Sequence, residues 1–225
     1  DNAHIKMPGL QYRGVSNIDG PLLFVDSIRN VAYDELVEIE TPGGELRIGQ
    51  VLDVSSTSAV IQVFGGTESL SKAGTRTRFL GSALQIPVSK EMLGRVFDGL
   101  GRPKDGMPPI LSAERRDVNG FPINPYSREY PRDFIQTGIS AIDIMNTLVR
   151  GQKLPIFSGN GLPHNRIAAQ IARQARLLSE DVEFAIVFAA MGVKYDVARY
   201  FIDSFEESGV LNNVSMFLSL ADDLF

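Results

Sequence analysis

The segment Ile156-Phe157-Ser158-Gly159-Asn160-Gly161-Leu162-Pro163-His164 decides how the second half of this 225-residue chain is read. A short apolar run over 154–157 enters it as a strand, glycines turn the backbone, and a helix leaves over 165–178. In that helix Ala168, Ile171, Ala172 and Ala175 recur on one face, while Arg166, Gln170, Arg173 and Gln174 fall elsewhere. Residues 184–190 are continuously apolar, as a strand covered on both faces of a parallel sheet must be. A second helix is expected over 196–208, with Val197, Tyr200, Phe201 and Phe205 inward, and another strand over 214–218. Residues 140–149 read as a helix. Strands alternating with helices make parallel βαβ units. Residues 134–225 are therefore expected to be the N-terminal part of an α/β domain, with 214–218 left as an uncovered edge strand.

A glycine loop between a strand and a helix is also where G-x-x-x-x-G-K-[ST] holds nucleotide phosphates. In that motif backbone N–H groups and the helix N-terminus cradle phosphate, the lysine offsets β/γ-phosphate charge, and the hydroxyl holds Mg²⁺. With Gly161 as the last glycine, Leu162 stands at the lysine position, Pro163 at the Ser/Thr position and Ile156 at the first glycine. The charge and the metal-binding hydroxyl are gone, and the loop geometry with part of the helix dipole remains. Ser158, Gly159, Asn160, Gly161, Leu162, Pro163, His164 and Asn165 are the candidate residues for weakly held ATP or ADP. No catalytic residue and no metal ligand is assigned. An ordinary strand–loop–helix turn, with Gly159 and Gly161 serving only a tight backbone, accounts for the same residues. His164 reads as an exposed first-turn residue, and Lys153, ahead of the strand, as pointing away from the loop. Met191 reads as core packing.

The first half has a different texture. Residues 1–10 read as a leader, and 11–81 as a small closed β-barrel of short strands with glycine turns. Strands are expected over 36–40, 45–54, 59–64 and 75–80, with turn residues Pro42-Gly43-Gly44 between the first two. Leu46, Ile48, Leu52 and Val54 fall on one side of a two-residue alternation, opposite Arg47 and Asp53. Residues 82–133 form an irregular connector, and six of the chain's twelve prolines lie between Pro103 and Pro131. A short helix is expected there over 90–97, and Tyr126 is expected to pack the connector.

Composition narrows the function classes. A net charge of −5 and a pI near 5.1 count against a nucleic-acid partner, which needs a concentrated basic surface. The basic residues Arg115-Arg116 and those over 128–132 are interleaved with Asp117, Glu129 and Asp133 and read as solvated surface. With no cysteine there is no disulfide and no thiolate metal site, and His4 and His164 lie far apart. The longest apolar stretch, 184–193, is half of the roughly 20 residues that span a bilayer as a helix. Membrane contact is expected only through partners.

Longer motifs carry a resemblance. Phe134-Ile135-Gln136-Thr137-Gly138-Ile139-Ser140-Ala141-Ile142-Asp143, followed by Leu148-Val149-Arg150-Gly151-Gln152-Lys153, resembles the approach to the nucleotide site of rotary ATPases. Leu93-Gly94-Arg95-Val96-Phe97-Asp98-Gly99-Leu100-Gly101-Arg102-Pro103 resembles the segment that follows their barrel. Ser158-Gly159-Asn160-Gly161-Leu162-Pro163-His164-Asn165 and Ala189-Ala190-Met191-Gly192 look like the B subunit of archaeal/vacuolar-type enzymes. The resemblance implies an N-terminal barrel, a RecA-like nucleotide-binding domain and, beyond residue 225, a helical domain. It implies a non-catalytic subunit that alternates with catalytic A subunits in a ring and meets central and peripheral stalk subunits at the cytoplasmic face of a membrane. It also implies that catalytic relatives carry a water-orienting glutamate where Val193 follows Gly192 here. Two other readings remain open: a divergent self-contained NTPase, and a barrel-plus-RecA module that binds nucleic acid.

Overall fold

A computed structural model of the protein describes residues 11–112, 114–130, 132–177, 184–221 and 223. The expected leader over 1–10 lies outside the described residues. The chain divides into two units: residues 11–86 with Arg115–Asn119, and Pro87–Glu114 with Gly120–Ala221.

Seven strands build the first unit: β1 (Gln11–Arg13), β2 (Asn17–Asp19), β3 (Leu22–Asp26), β4 (Glu35–Glu40), β5 (Leu46–Val54), β6 (Ser58–Val63) and β7 (Arg76–Ala83). They pair antiparallel in the order β1-β7-β4-β5-β6-β3-β2. The two ends of that order, β1 and β2, are consecutive in sequence. One bent segment thus pairs with β7 by its first half and with β3 by its second, and the sheet closes on itself. Gly14 makes the bend at φ +79, a conformation that favours glycine. Its N–H donates to the Thr75 carbonyl (2.9 Å) and the Ser16 N–H to the Phe24 carbonyl (2.8 Å), so hydrogen bonding continues onto both neighbours. Closure removes the open edges on which another chain could pair.

Alternate residues fill the interior. Leu23, Val25, Val37, Ile39, Val51, Ala59, Ile61, Val63 and Phe79 are each no more than 4% exposed. Buried Glu35 is satisfied locally, accepting from the Ala32 N–H (3.0 Å) and the Gly81 N–H (2.6 Å). The inward face of β5 differs from the sequence expectation. Gly49 and Val51 point inward, whereas Leu46 and Leu52 are 50% and 46% exposed. The reason is close packing at Gly49: a Cβ there would lie 2.7 Å from Ile61 Cγ2 and 3.0 Å from Ile39 Cδ1. A bulge between Val51 and Asp53 then breaks the two-residue period, leaving both Leu52 and Asp53 exposed.

Three short strands follow: β8 (Gln85–Pro87), which pairs with β10 (Arg115–Asp117), and between them β9 (Val96–Phe97). The helix expected over 90–97 is only a 3-10 turn, Lys90–Met92. Gly94, at φ +81, ends it, and the chain extends into β9. Tyr126, expected to pack the connector, is 97% exposed instead.

The second unit continues with β11 (Ile135–Gln136), α1 (Ser140–Met145), α2 (His164–Gln174), β12 (Arg176–Leu177), β13 (Ile186–Val193), α3 (Tyr195–Glu207) and β14 (Val214–Leu220). Its main sheet is fully parallel, in the order β13-β14-β9. The expectation of an uncovered edge at 214–218 is therefore corrected: β14 is the central strand. Connector strand β9 covers it, with the Gly94 N–H donating to the Val214 carbonyl (2.8 Å) and the Met216 N–H to the Arg95 carbonyl (2.9 Å). Around this seam Phe188, Phe201 and Phe205 stack against one another, over buried Ala169, Ala198, Val214, Met216 and Leu218. Tyr200 lies outside that core and is partly exposed, and Met191, expected in a core, is exposed. Helix α1 stops at Met145, short of the expected 149, where Thr147 adopts φ +35. Helix α2 stops at Gln174, short of the expected 178, because Ala175 turns to an extended ψ of 124 and β12 pairs antiparallel with β11.

Arg95 ties the connector to β9. Its guanidinium donates to both Asp105 carboxylate oxygens, one at 3.1 Å, and to the Pro108 carbonyl at 2.9 Å, and it lies 5.6 Å from the Phe97 ring centroid. The bond from Arg95, assisted by the Met107 and Val96 N–H groups, lowers the Asp105 pKa to about 2.

Two outcomes are expected. In urea unfolding, Ile61→Ala costs about 2–5 kcal/mol, whereas Leu46→Ala changes stability by about 0.5 kcal/mol or less; similar costs at the two positions would contradict the inward face of β5. Because the Asp105 carboxyl is depressed in the folded state, its contribution is present above the unfolded carboxyl pKa of about 3.9 and fades toward pH 2. Asp105→Asn is thus less stable than the wild type at pH 7, and the gap narrows between pH 4 and pH 2; a gap that stays constant over that range rejects the assignment.

Candidate nucleotide-loop site

The loop over 158–163 enters from an extended segment that is not a strand. The strand expected over 154–157 is absent because no described strand hydrogen-bonds to it, and an unpaired extended segment has nothing to hold it. Phe157 is 92% exposed. Gly161 turns the loop at φ +82, and α2 begins at His164 with Pro163 as its cap. Proline suits this start, since its missing N–H would have been unpaired in the first turn. No side chain caps the helix.

Several groups a phosphate would need are spent inside the loop. The Leu162 N–H donates to the Gly159 carbonyl (3.3 Å), and the His164 N–H folds back onto the Leu162 carbonyl (2.9 Å). Ser158 Oγ and His164 Nδ1 are 2.9 Å apart, a hydrogen bond that staples the two ends of the loop. The N–H groups of Gly159, Asn160 and Gly161 make no hydrogen bond among the described residues. Asn165 is half-buried in the first turn of α2, and Leu162, at the lysine position, is 57% exposed. The eight candidate residues are thus contiguous, with three open backbone donors and neither a cation nor a metal-binding hydroxyl at the positions a phosphate loop would use. Among the described residues no group of three or more His, Cys, Asp or Glu could hold a metal ion.

One neighbouring feature was not singled out in the sequence. Asp143 accepts from the Thr137 N–H (2.9 Å), the Thr137 hydroxyl (2.7 Å) and the Gly138 N–H (3.0 Å). The Thr137 N–H, then its hydroxyl, hold the Asp143 carboxyl below its ordinary value. This fixes the Gly138 turn (φ +75) so close to the end of α2 that a Cβ at Gly138 would lie 2.3 Å from Gln174 Oε1. Val193 ends β13 after a bulge at Gly192 (φ +64) and packs its side chain against the core. Where the resemblance implies a water-orienting glutamate in catalytic relatives, this chain thus has a hydrocarbon packed against the core.

Family comparison matches both halves. Residues 15–81 match the beta-barrel domain of the ATP synthase alpha/beta family, and residues 138–225 match its nucleotide-binding domain. The chain belongs to the ATP synthase alpha/beta family. This alpha/beta-family chain is 61% identical over 213 residues to the B subunit of an A-type ATP synthase from Aeropyrum pernix, covering 95% of the chain and 46% of that relative. It is 59% identical over 216 residues to a V-type ATP synthase beta chain 2 of Treponema pallidum, covering 96% of the chain and 45% of the relative. It is 57% identical over 215 residues to the B subunit of an A-type ATP synthase from Nitrosopumilus maritimus, covering 96% and 47%. The chain spans about half the length of the curated relatives it matches.

Proposed function

We propose that this chain is part of a non-catalytic, regulatory B subunit of an ion-translocating A/V-type ATP synthase. In this reading it alternates with catalytic A subunits in a ring, meets central and peripheral stalk subunits, and helps couple ATP synthesis or hydrolysis to proton or sodium transport. It sits at the cytoplasmic face of the membrane and reaches the membrane only through those partners. Among the described residues no helix is long and apolar enough to cross a membrane. Similarity to the B subunits and beta chain of A-type and V-type ATP synthases supports the placement in such a complex.

The observation that carries the non-catalytic part is the Leu162-Pro163 pair in a loop that hydrogen-bonds to itself. Phosphoryl transfer depends almost wholly on positioning and electrostatic stabilisation. Leucine supplies no charge to a β/γ-phosphate, proline no metal-binding oxygen, and Val193 no group to polarise water. When bound, a nucleotide would bring its own phosphates and metal; this chain would offer only the open N–H groups of Gly159, Asn160 and Gly161 and the N-terminal end of α2. That set fits weak holding of ATP or ADP by Ser158, Gly159, Asn160, Gly161, Leu162, Pro163, His164 and Asn165.

Titration calorimetry of the full-length subunit with Mg-ATP tests this. The double variant Leu162→Lys/Pro163→Thr is expected to bind roughly tenfold more tightly or better, about 1.4 kcal/mol, and to remain without turnover. A wild-type chain that already binds as tightly as the variant would sink the reading.

A further inference from the structure

The loop over 158–163 carries Asn160 directly ahead of Gly161, and both are exposed. They are the central residues of the turn that the Leu162 N–H closes onto the Gly159 carbonyl. The neighbouring Leu162 and Pro163 line a groove of about 290 Å³ between the starts of α2 and α3, with Arg166 and Asp196, and Asn160 and Gly161 stay outside it. Among the described residues neither the Asn160 side chain nor the Gly161 N–H makes a hydrogen bond. Nothing crowds Gly161: a Cβ there would meet no atom within 4 Å.

An asparagine followed by glycine has a chemistry of its own. The side-chain carbonyl carbon, Cγ, is within reach of the next residue's main-chain nitrogen. Glycine has no Cβ in the path of that nitrogen and the widest backbone freedom. Attack forms the N–Cγ bond of a succinimide ring and breaks Cγ–Nδ2, and the amide proton leaves with the ammonia. Water then opens the ring at either carbonyl. Opening at Cγ leaves aspartate; opening at the main-chain carbonyl leaves isoaspartate, whose main chain runs through the side chain. Either way an amide and a water become a carboxylate and an ammonia, with no change of oxidation state.

The chain holds a second such pair, Asn119-Gly120, also exposed. Its surroundings differ in sign. The attacking nitrogen gives up its proton, so negative charge develops as the ring forms. Asn160-Gly161 leads into α2, whose first turn has Arg166 and no acidic residue. The positive helix end and the cation favour that charge, against which the adjoining groove sets only Asp196. Asn119-Gly120 instead follows β10, where the Asn119 N–H donates to Asp117 Oδ1 (2.9 Å) and the Val118 N–H to the Leu84 carbonyl (3.0 Å). There a carboxylate opposes the charge, and two hydrogen bonds hold the backbone that has to rotate.

We propose that Asn160 is a site of spontaneous modification: its amide is exchanged for a carboxylate through a succinimide formed with Gly161, which puts an anion among the open N–H groups of the loop and closes them to phosphate. Conversion of Asn160 stands on the loop itself; its effect on phosphate rests on the reading of the loop as a weak holder of nucleotide.

The test holds the full-length subunit at neutral pH and samples it over time by peptide mass spectrometry, reading aspartate and isoaspartate at both positions. Asn160 is expected to convert roughly threefold faster than Asn119 or more, and the two to convert at similar rates once urea unfolds the chain. Arg166→Glu is expected to slow Asn160 roughly threefold and to leave Asn119 unchanged. Equal rates at the two positions in the folded wild type, or an Asn160 rate untouched by Arg166→Glu, would overturn the assignment. Calorimetry with Mg-ATP reads the consequence: Asn160→Asp is expected to bind roughly fivefold more weakly than the wild type, and unchanged affinity would overturn the closure to phosphate. No Mg-ATP binding by the unmodified wild type would instead strike the nucleotide reading, while the conversion of Asn160 is still decided by its own rate.

Discussion

Everything distinctive about the second unit hangs from one packing seam. Ala169 of α2, fully buried, meets the core formed by Phe201 and Phe205 of α3 and by β13 and β14. Small side chains, Ala168, Ala169 and Ala172, pack α2 against that core, and the loop over 158–163 leads into the start of the same helix. The sheet behind it is completed from a distance in sequence. Strand β9, anchored by Arg95 and Asp105, supplies the second neighbour of β14. The seam lies within the part of the chain that matches the family's nucleotide-binding domain, and on the proposed reading it carries that domain's loop and helix without its chemistry.

That separation of geometry from chemistry explains the site. The loop and the helix that follows it need only a glycine at φ +82 and apolar periodicity, and the strand expected ahead of them over 154–157 is absent. Catalysis would need three further groups: a cation, a metal-binding oxygen and a carboxylate. Leucine, proline and valine stand at those positions. Two of the three, Leu162 and Pro163, face a groove, and the third, Val193, joins the core. The hydrogen bonds of the Leu162 and His164 amides within the loop complete the change, because those groups remain satisfied without a ligand.

Much of this was legible in the sequence. Several short strands with glycine turns pointed to the barrel, and the helical spacing in α2 and α3 to the second unit, because burial on one face of a helix imposes that period directly. What escaped was tertiary. No local pattern reveals that Gly49 must face inward, since the signal is a close approach between strands rather than a hydrophobic side chain. Pairing of Val96–Phe97 with β14 joins segments over a hundred residues apart, so neither strand announces it. The apolar run over 154–157 is a sound strand signal with no described partner to realise it. At the site the loop residues could be read from glycine spacing, but the internal bonding of Leu162 and His164, the Ser158–His164 staple and the groove shared with Asp196 depend on three-dimensional folding.

The central claim is that the loop keeps its shape without the power to transfer phosphate. Its most direct test is steady-state ATP hydrolysis by the purified full-length subunit, measured alone and after assembly with its catalytic partner. The account predicts no turnover above buffer from the isolated subunit and Mg²⁺-dependent turnover once the partner is present. A steady rate from the isolated subunit, abolished by Gly161→Val, would contradict it.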